Sequence, residues 1–167
     1  SENDEVIIPT PWYFNHHMWL QMAGVKSIPL DTDANMNPII EKAEALITDR
    51  TRAIVLVSPN NPSGAIYSNQ LLQKFFDLCK SNQIRLIIDE TYKDFHPNAS
   101  QPHTLLENNN WDQVLTILYS FSKTYRMTGH RIGALLTSKE NLIEIEKALD
   151  TFTAVSYTHL RAHETEA

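Results

Sequence analysis

Apolar residues along this chain come in short blocks, and the blocks alternate between two spacings. Val6-Ile7-Ile8 ends at Pro9, and Ala53-Ile54-Val55-Leu56-Val57 is unbroken. Ile84 to Ile88, Val114 to Leu118 and Ile132 to Leu136 have a similar character, and Val25 to Leu30 is a weaker example. Short apolar runs without a polar face belong to strands covered on both sides, as in a parallel sheet. Between the runs the spacing changes. Leu71, Leu72, Phe75, Phe76 and Cys79 recur at the interval of one helix face, which puts Cys79 in the core. Tyr13 to Ala23 reads as a helix stopped by Gly24, and Lys139 to Leu149 as another. Asn37-Pro38 has the form of a cap followed by proline in the first turn, which predicts a helix opening there and running to Ile47.

This alternation predicts an α/β fold, a mostly parallel central sheet flanked by helices. Ligands of such sheets lie beyond the carboxyl ends of the strands. The chain's 167 residues suffice for one domain with a real core. No apolar run approaches the ~18 residues of a membrane span. The N-terminal Ser1-Glu2-Asn3-Asp4-Glu5 is acidic, unlike a secretory signal. A formal net charge of −6 disfavours nucleic acid or an anionic membrane as partner. The single cysteine, Cys79, rules out an internal disulfide and suits a cytoplasmic protein. No GxGxxG or P-loop spacing occurs, which disfavours dinucleotide and ATP folds. His16 and His17 adjoin on a predicted helix, so their side chains diverge. No Cys/His cluster has zinc spacing, and no metal is expected.

Polar motifs cluster where the predicted strands end. Ser58-Pro59-Asn60-Asn61-Pro62-Ser63-Gly64 follows the strand 53–57 as a stiff turn that offers asparagine amides, or serves simply as a turn. Asp89-Glu90-Thr91-Tyr92 closes the strand 84–88, with Asp89 either a ligand-binding acid or a cap. Ser120-Phe121-Ser122-Lys123-Thr124-Tyr125-Arg126-Met127-Thr128-Gly129-His130-Arg131-Ile132-Gly133 is expected to form a loop after the strand 114–118. Hydroxyls with a guanidinium can hold a phosphate. A lysine in such surroundings is of the kind that serves as a nucleophilic amine. The alternative is a solvated basic loop; His130 is a further candidate to line a site there. Gly64, Gly129 and Gly133 fall inside the motifs, as expected if backbone approaches a ligand closely.

In this order the motifs resemble those of the class I/II aminotransferases, pyridoxal 5'-phosphate (PLP) enzymes of fold type I, over residues 5–150. Arg126 stands where that pattern usually has a small residue. The resemblance implies that the chain is the large PLP-binding domain, incomplete at both ends. It implies that Lys123 forms the Schiff base with PLP and then shuttles the substrate proton. Asp89 would pair with the pyridine nitrogen and keep the ring an electron sink. Asn61 and Tyr92 would bond the ring's phenolic oxygen, and Ser120, Ser122 and Arg131 would hold the phosphate. Tyr13 would stack on the ring, with Trp12 as its neighbouring candidate. Lys123, Asp89 and Tyr92 are thus the expected catalytic set.

The implied reaction moves an amino group between an amino acid and a 2-oxo acid, in a homodimer when complete. Alternatives on the same fold are a PLP-dependent lyase or decarboxylase, or the PLP-binding domain of a transcriptional regulator. Residues 1–154 are read as the partial domain. Residues 155–167 do not continue the family pattern and resemble a non-native tail, so His159 and His163 are not read as a metal site. The family's substrate-carboxylate arginine has no counterpart here, and the isolated chain is expected to be inactive.

Overall fold

A computed structural model describes residues 3–152. The described residues form two compact units that divide between Leu136 and Thr137. The tail read as foreign, 155–167, lies outside the described residues.

The first unit is a sheet with strands β1 (Glu5–Pro9), β2 (Lys26–Leu30), β3 (Thr51–Val57), β4 (Arg85–Asp89), β5 (Leu115–Ser120) and β6 (Gly133–Leu136). Their order is β2-β1-β3-β4-β5-β6, parallel except that β6 runs antiparallel to β5. Helices α1 (Phe14–Met22), α2 (Ile40–Leu46), α3 (Asn69–Ser81) and α4 (Phe121–Thr124) join the strands. The chain runs outward from β1 to β2, then returns past β1 to β3. Chain direction across the sheet reverses there, which opens a crevice at the carboxyl edge.

The unbroken run of β3 is explained by burial on both faces. Ile54 and Leu56 point into a core with Leu72, Phe75, Phe76 and Cys79 of α3, whereas Ala53 and Val55 point into a second cluster with Val6 and Ile8. The Ser68 hydroxyl accepts the Leu71 amide at 3.2 Å and caps α3. The other face is thinner. Helix α1 has no buried residue, and Trp19 is 65% exposed.

Two expectations need correction. Asn37 and Pro38 do not start a helix. The Asp33 carboxylate accepts the amides of Asn35 and Asn37 at 2.8 and 2.9 Å, and Pro38 bridges to Thr32 in a short antiparallel contact. The Ile39 amide, which a cap at Asn37 would take, donates instead to the Asp31 carbonyl at 3.2 Å, so α2 begins only after Ile39. The lysine motif is not a loop throughout either. Strand β5 extends to Ser120, the turn α4 carries Lys123, and a 3-10 turn covers Thr128–His130.

In the second unit, helix α5 (Lys139–Phe152) starts where the Ser138 hydroxyl accepts the Asn141 amide at 3.3 Å. No described helix is long and apolar enough to cross a membrane.

Candidate active site

A cavity of about 280 Å³ lies at the carboxyl edge of β3, β4 and β5. Asn61 reaches it from the turn after β3, Asp89 and Tyr92 from the end of β4, and Ser120, Ser122, Lys123 and Arg131 from the segment after β5. Tyr13, at the start of α1, closes another side. All eight residues to which the resemblance assigns a role therefore line one cavity, joined by Val57, Thr91 and Thr128. The parallel sheet causes this convergence, because the loops that follow parallel strands all emerge at the same edge.

The two asparagines of the first motif divide the work. Asn60 is buried, and its Oδ1 accepts the Ser63 amide at 3.2 Å and the Ser63 hydroxyl at 2.8 Å. It builds the turn and leaves Asn61 to face the cavity. The peptide bonds before Pro59 and Pro62 are cis. Gly64 is in the left-handed region at φ +75°, which a turn of this kind needs. A Cβ at Gly133 would stand 2.9 Å from the Tyr119 carbonyl oxygen. That crowding by the neighbouring strand is enough to require glycine there.

Asp89 is both cap and cavity acid. Its Oδ1 accepts the Thr91 amide at 2.9 Å, and its Oδ2 lies 2.9 Å from His16 Nε2. Burial pushes the carboxyl up, but the hydrogen bonds from His16 and Thr91 together outweigh it and hold its pKa below the ordinary value. Asp89 is thus kept ionised, with lone pairs to spare for a ligand. His16 was not among the expected site residues. Its partner is 73 positions away, and no local spacing signals the pair. The adjacent His17 turns elsewhere, stacking on Trp12 at 4.8 Å between ring centroids. Trp12 packs against the second core cluster, so Tyr13 is the aromatic at the cavity. The Tyr13 ring meets His16 edge-on at 5.6 Å, and its hydroxyl accepts from Asn15 Nδ2 at 2.7 Å.

Around Lys123 the backbone is tightly bent. The Ser120 hydroxyl accepts the Ser122 amide at 3.2 Å, and its proton remains free to donate. Ser122 is buried, whereas Lys123 and Arg131 are exposed at the cavity mouth. An Arg131 Nη donates to the Thr128 carbonyl at 3.1 Å. Arg126 sits at φ 55°, a left-handed conformation that costs a residue with a Cβ about 1–2 kcal/mol. The expected small residue at this position has its physical reason there. His130 does not line the cavity, because the 3-10 turn carries it to the exposed side.

A carboxylate network borders the site. Asp94 Oδ2 accepts the Tyr119 hydroxyl and, at 2.9 Å, the Thr124 hydroxyl. The Tyr119 bond leads in holding the Asp94 carboxyl low, with Thr124 and Lys93 assisting against partial desolvation. Burial first, then the Asp94 carboxylate, pushes the Tyr119 phenol up to about 12, which keeps it a donor.

The family described as aminotransferase class I and II matches residues 1–163. The chain is 32% identical over 143 residues to a probable aspartate/prephenate aminotransferase of Aquifex aeolicus, covering 84% of this chain and 36% of that protein. It is 35% identical over 138 residues to an alanine aminotransferase of Mycobacterium tuberculosis, covering 81% and 32%. An aromatic aminotransferase of Pyrococcus horikoshii superposes with a TM-score of 0.84 at 24% identity, over 92% of this chain and 42% of that one, a likeness of fold. The chain thus spans about a third of the length of these curated relatives.

Proposed function

The chain belongs to the class I and II aminotransferase family, and on that footing we propose that its cavity holds PLP and serves the transfer of an amino group between an amino acid and a 2-oxo acid. One observation carries this reading. An amine (Lys123), an ionised carboxylate (Asp89) and a hydroxyl–guanidinium set (Ser120, Ser122, Arg131) converge on a single cavity. Those groups match the cofactor's aldehyde, its protonated ring nitrogen and its phosphate.

When bound, PLP would supply an aldehyde that links to amines and a ring that takes up the electron pair left as Cα–H breaks. Lys123 would hold it covalently through Nζ. The same amine, when free, would take up and give back the proton of the substrate Cα. Asp89, held ionised and oriented by His16, would accept the ring N–H and keep it protonated. Asn61 Nδ2 and the Tyr92 hydroxyl would donate to the ring's phenolic oxygen. Ser120, Ser122 and Arg131 would bind the phosphate, and the Tyr13 ring would cover one face of the cofactor.

Relatives named for aspartate/prephenate and for alanine support an amino-acid substrate and transamination over a lyase or decarboxylase reaction. On the same family reading, the complete protein would be a cytoplasmic homodimer. The test is to supply the complete protein with PLP, an amino-acid panel and 2-oxoglutarate or pyruvate. Amino-acid product that depends on the keto acid is expected. Carbon dioxide or ammonia released without a keto acid would replace transamination with decarboxylation or elimination.

A further inference from the structure

Two arms of chain leave the carboxyl edge side by side. One follows β4 and carries Tyr92; the other follows β5 and carries Lys123. Their strands pair up to Asp89 with Leu118, and the Glu90 amide adds a bond to the Leu118 carbonyl at 2.7 Å. The β4–β5 ladder reaches no further among the described residues, so the distance between the Tyr92 hydroxyl and the Lys123 amine must be set by side chains. Asp94 stands where the arms can be joined. It lies on the Tyr92 arm, in the 3-10 turn Lys93–Phe95, whose Phe95 amide bonds the Tyr92 carbonyl at 3.0 Å. Tyr92 and Asp94 are thus held in one short turn.

The partners of Asp94 lie on the other arm and flank Lys123. Tyr119 precedes it at the end of β5, and Thr124 follows it directly. Both hydroxyls donate to the same Asp94 oxygen, Oδ2. Lys93 completes the joint, 3.7 Å from Asp94 Oδ1 and 5.2 Å from the centre of the Tyr119 ring. The Tyr119 ring in turn packs edge-on against Phe121 at 5.1 Å. A solvated surface carboxylate would do little here. This one is only 24% exposed and gathers both its hydroxyls from the segment that bears the amine.

We propose that Asp94 is a positioning residue that fixes the Lys123 arm against the Tyr92 arm, so that amine and phenol meet one ligand; this rests on the site reading given above. Asp94 does not itself line the cavity.

The test uses the complete protein and the variants Asp94→Ala, Thr124→Val and Thr124→Ser. Hydrogen exchange is measured without cofactor, and PLP affinity separately. Exchange across 121–126 should rise about tenfold in Asp94→Ala, while β3 keeps wild-type protection. The PLP dissociation constant should rise about tenfold in Asp94→Ala and about threefold in Thr124→Val, and stay at the wild-type value in Thr124→Ser, which retains the hydroxyl. Unchanged exchange and affinity in a folded Asp94→Ala would overturn the proposal. If Asp94→Ala fails to fold, identical behaviour of Thr124→Val and Thr124→Ser would overturn it instead. Borohydride reduction of the wild type with PLP separates the two levels. An adduct on Lys123 with indifferent variants removes only the role of Asp94, whereas no adduct removes the site reading and this proposal together.

Discussion

Two acids stand side by side at the end of β4, and each meets a histidine Nε2: Asp89 with His16 at 2.9 Å, Glu90 with His103 at 2.6 Å. Their surroundings separate them. Asp89 borders the cavity, and His16 is 19% exposed. Glu90 turns into the body of the domain, where its side chain is 8% and that of His103 4% exposed. His103 Nδ1 accepts the Leu105 amide at 3.3 Å, which leaves Nε2 as the proton carrier toward Glu90. Leu105 belongs to the main core. The same pairing chemistry thus fastens a loop at Glu90 and holds a buried, cavity-lining carboxylate in place at Asp89. Position relative to the cavity, more than residue type, separates a structural pair from a functional one.

The largest expected effect breaks the sealed pair. His103→Ala leaves a buried carboxylate without its partner and should cost about 3 kcal/mol of unfolding free energy. His16→Ala, at a wetter site where Asp89 keeps the Thr91 amide, should cost about 1 kcal/mol. Urea titration measures both, and equal losses would erase the contrast. Ligand affinity should reverse the ranking. His16→Ala should weaken PLP binding about tenfold in a fluorescence titration, whereas His103→Ala, assayed as folded protein, should change it less than about twofold.

Acid sharpens the comparison on the cavity side. The folded Asp89 pKa lies below its ordinary value of 3.8. Its stabilisation is therefore complete above the unfolded pKa and is lost as pH falls through the folded one. Asp89→Asn should flatten the decline of the urea midpoint below about pH 4 relative to wild type. The smallest effect concerns the turn after Lys123. Arg126→Gly relieves the left-handed strain but loosens the unfolded chain, so a net gain of about 0.5 kcal/mol is expected in thermal melting. A loss of stability would mean that the arginine side chain compensates the strain.

What could be read from the sequence follows the same division. Tyr13, Asn61, Asp89, Tyr92, Ser120, Ser122, Lys123 and Arg131 were legible through the resemblance to the aminotransferase motifs, and they line one cavity because the loops after parallel strands share one edge. His16 was not, since pairing with Asp89 is a tertiary event across 73 positions. His103 was hidden for the same reason, by a separation of 13. Asp94 gave no signal in the sequence, because its hydroxyl partners, Tyr119 in β5 and Thr124 after it, are 25 and 30 positions away. The start of α2 was misplaced by a local competition, in which the Asp31 carbonyl takes the Ile39 amide that a cap at Asn37 would claim.

The central claim is that Lys123 is the amine that engages the cofactor. Incubating the complete protein with PLP, reducing with borohydride and mapping peptides by mass spectrometry tests it directly. A pyridoxyl group on Lys123, lost in Lys123→Ala, is the expected result. A folded, PLP-exposed protein with Lys123 unmodified would contradict it.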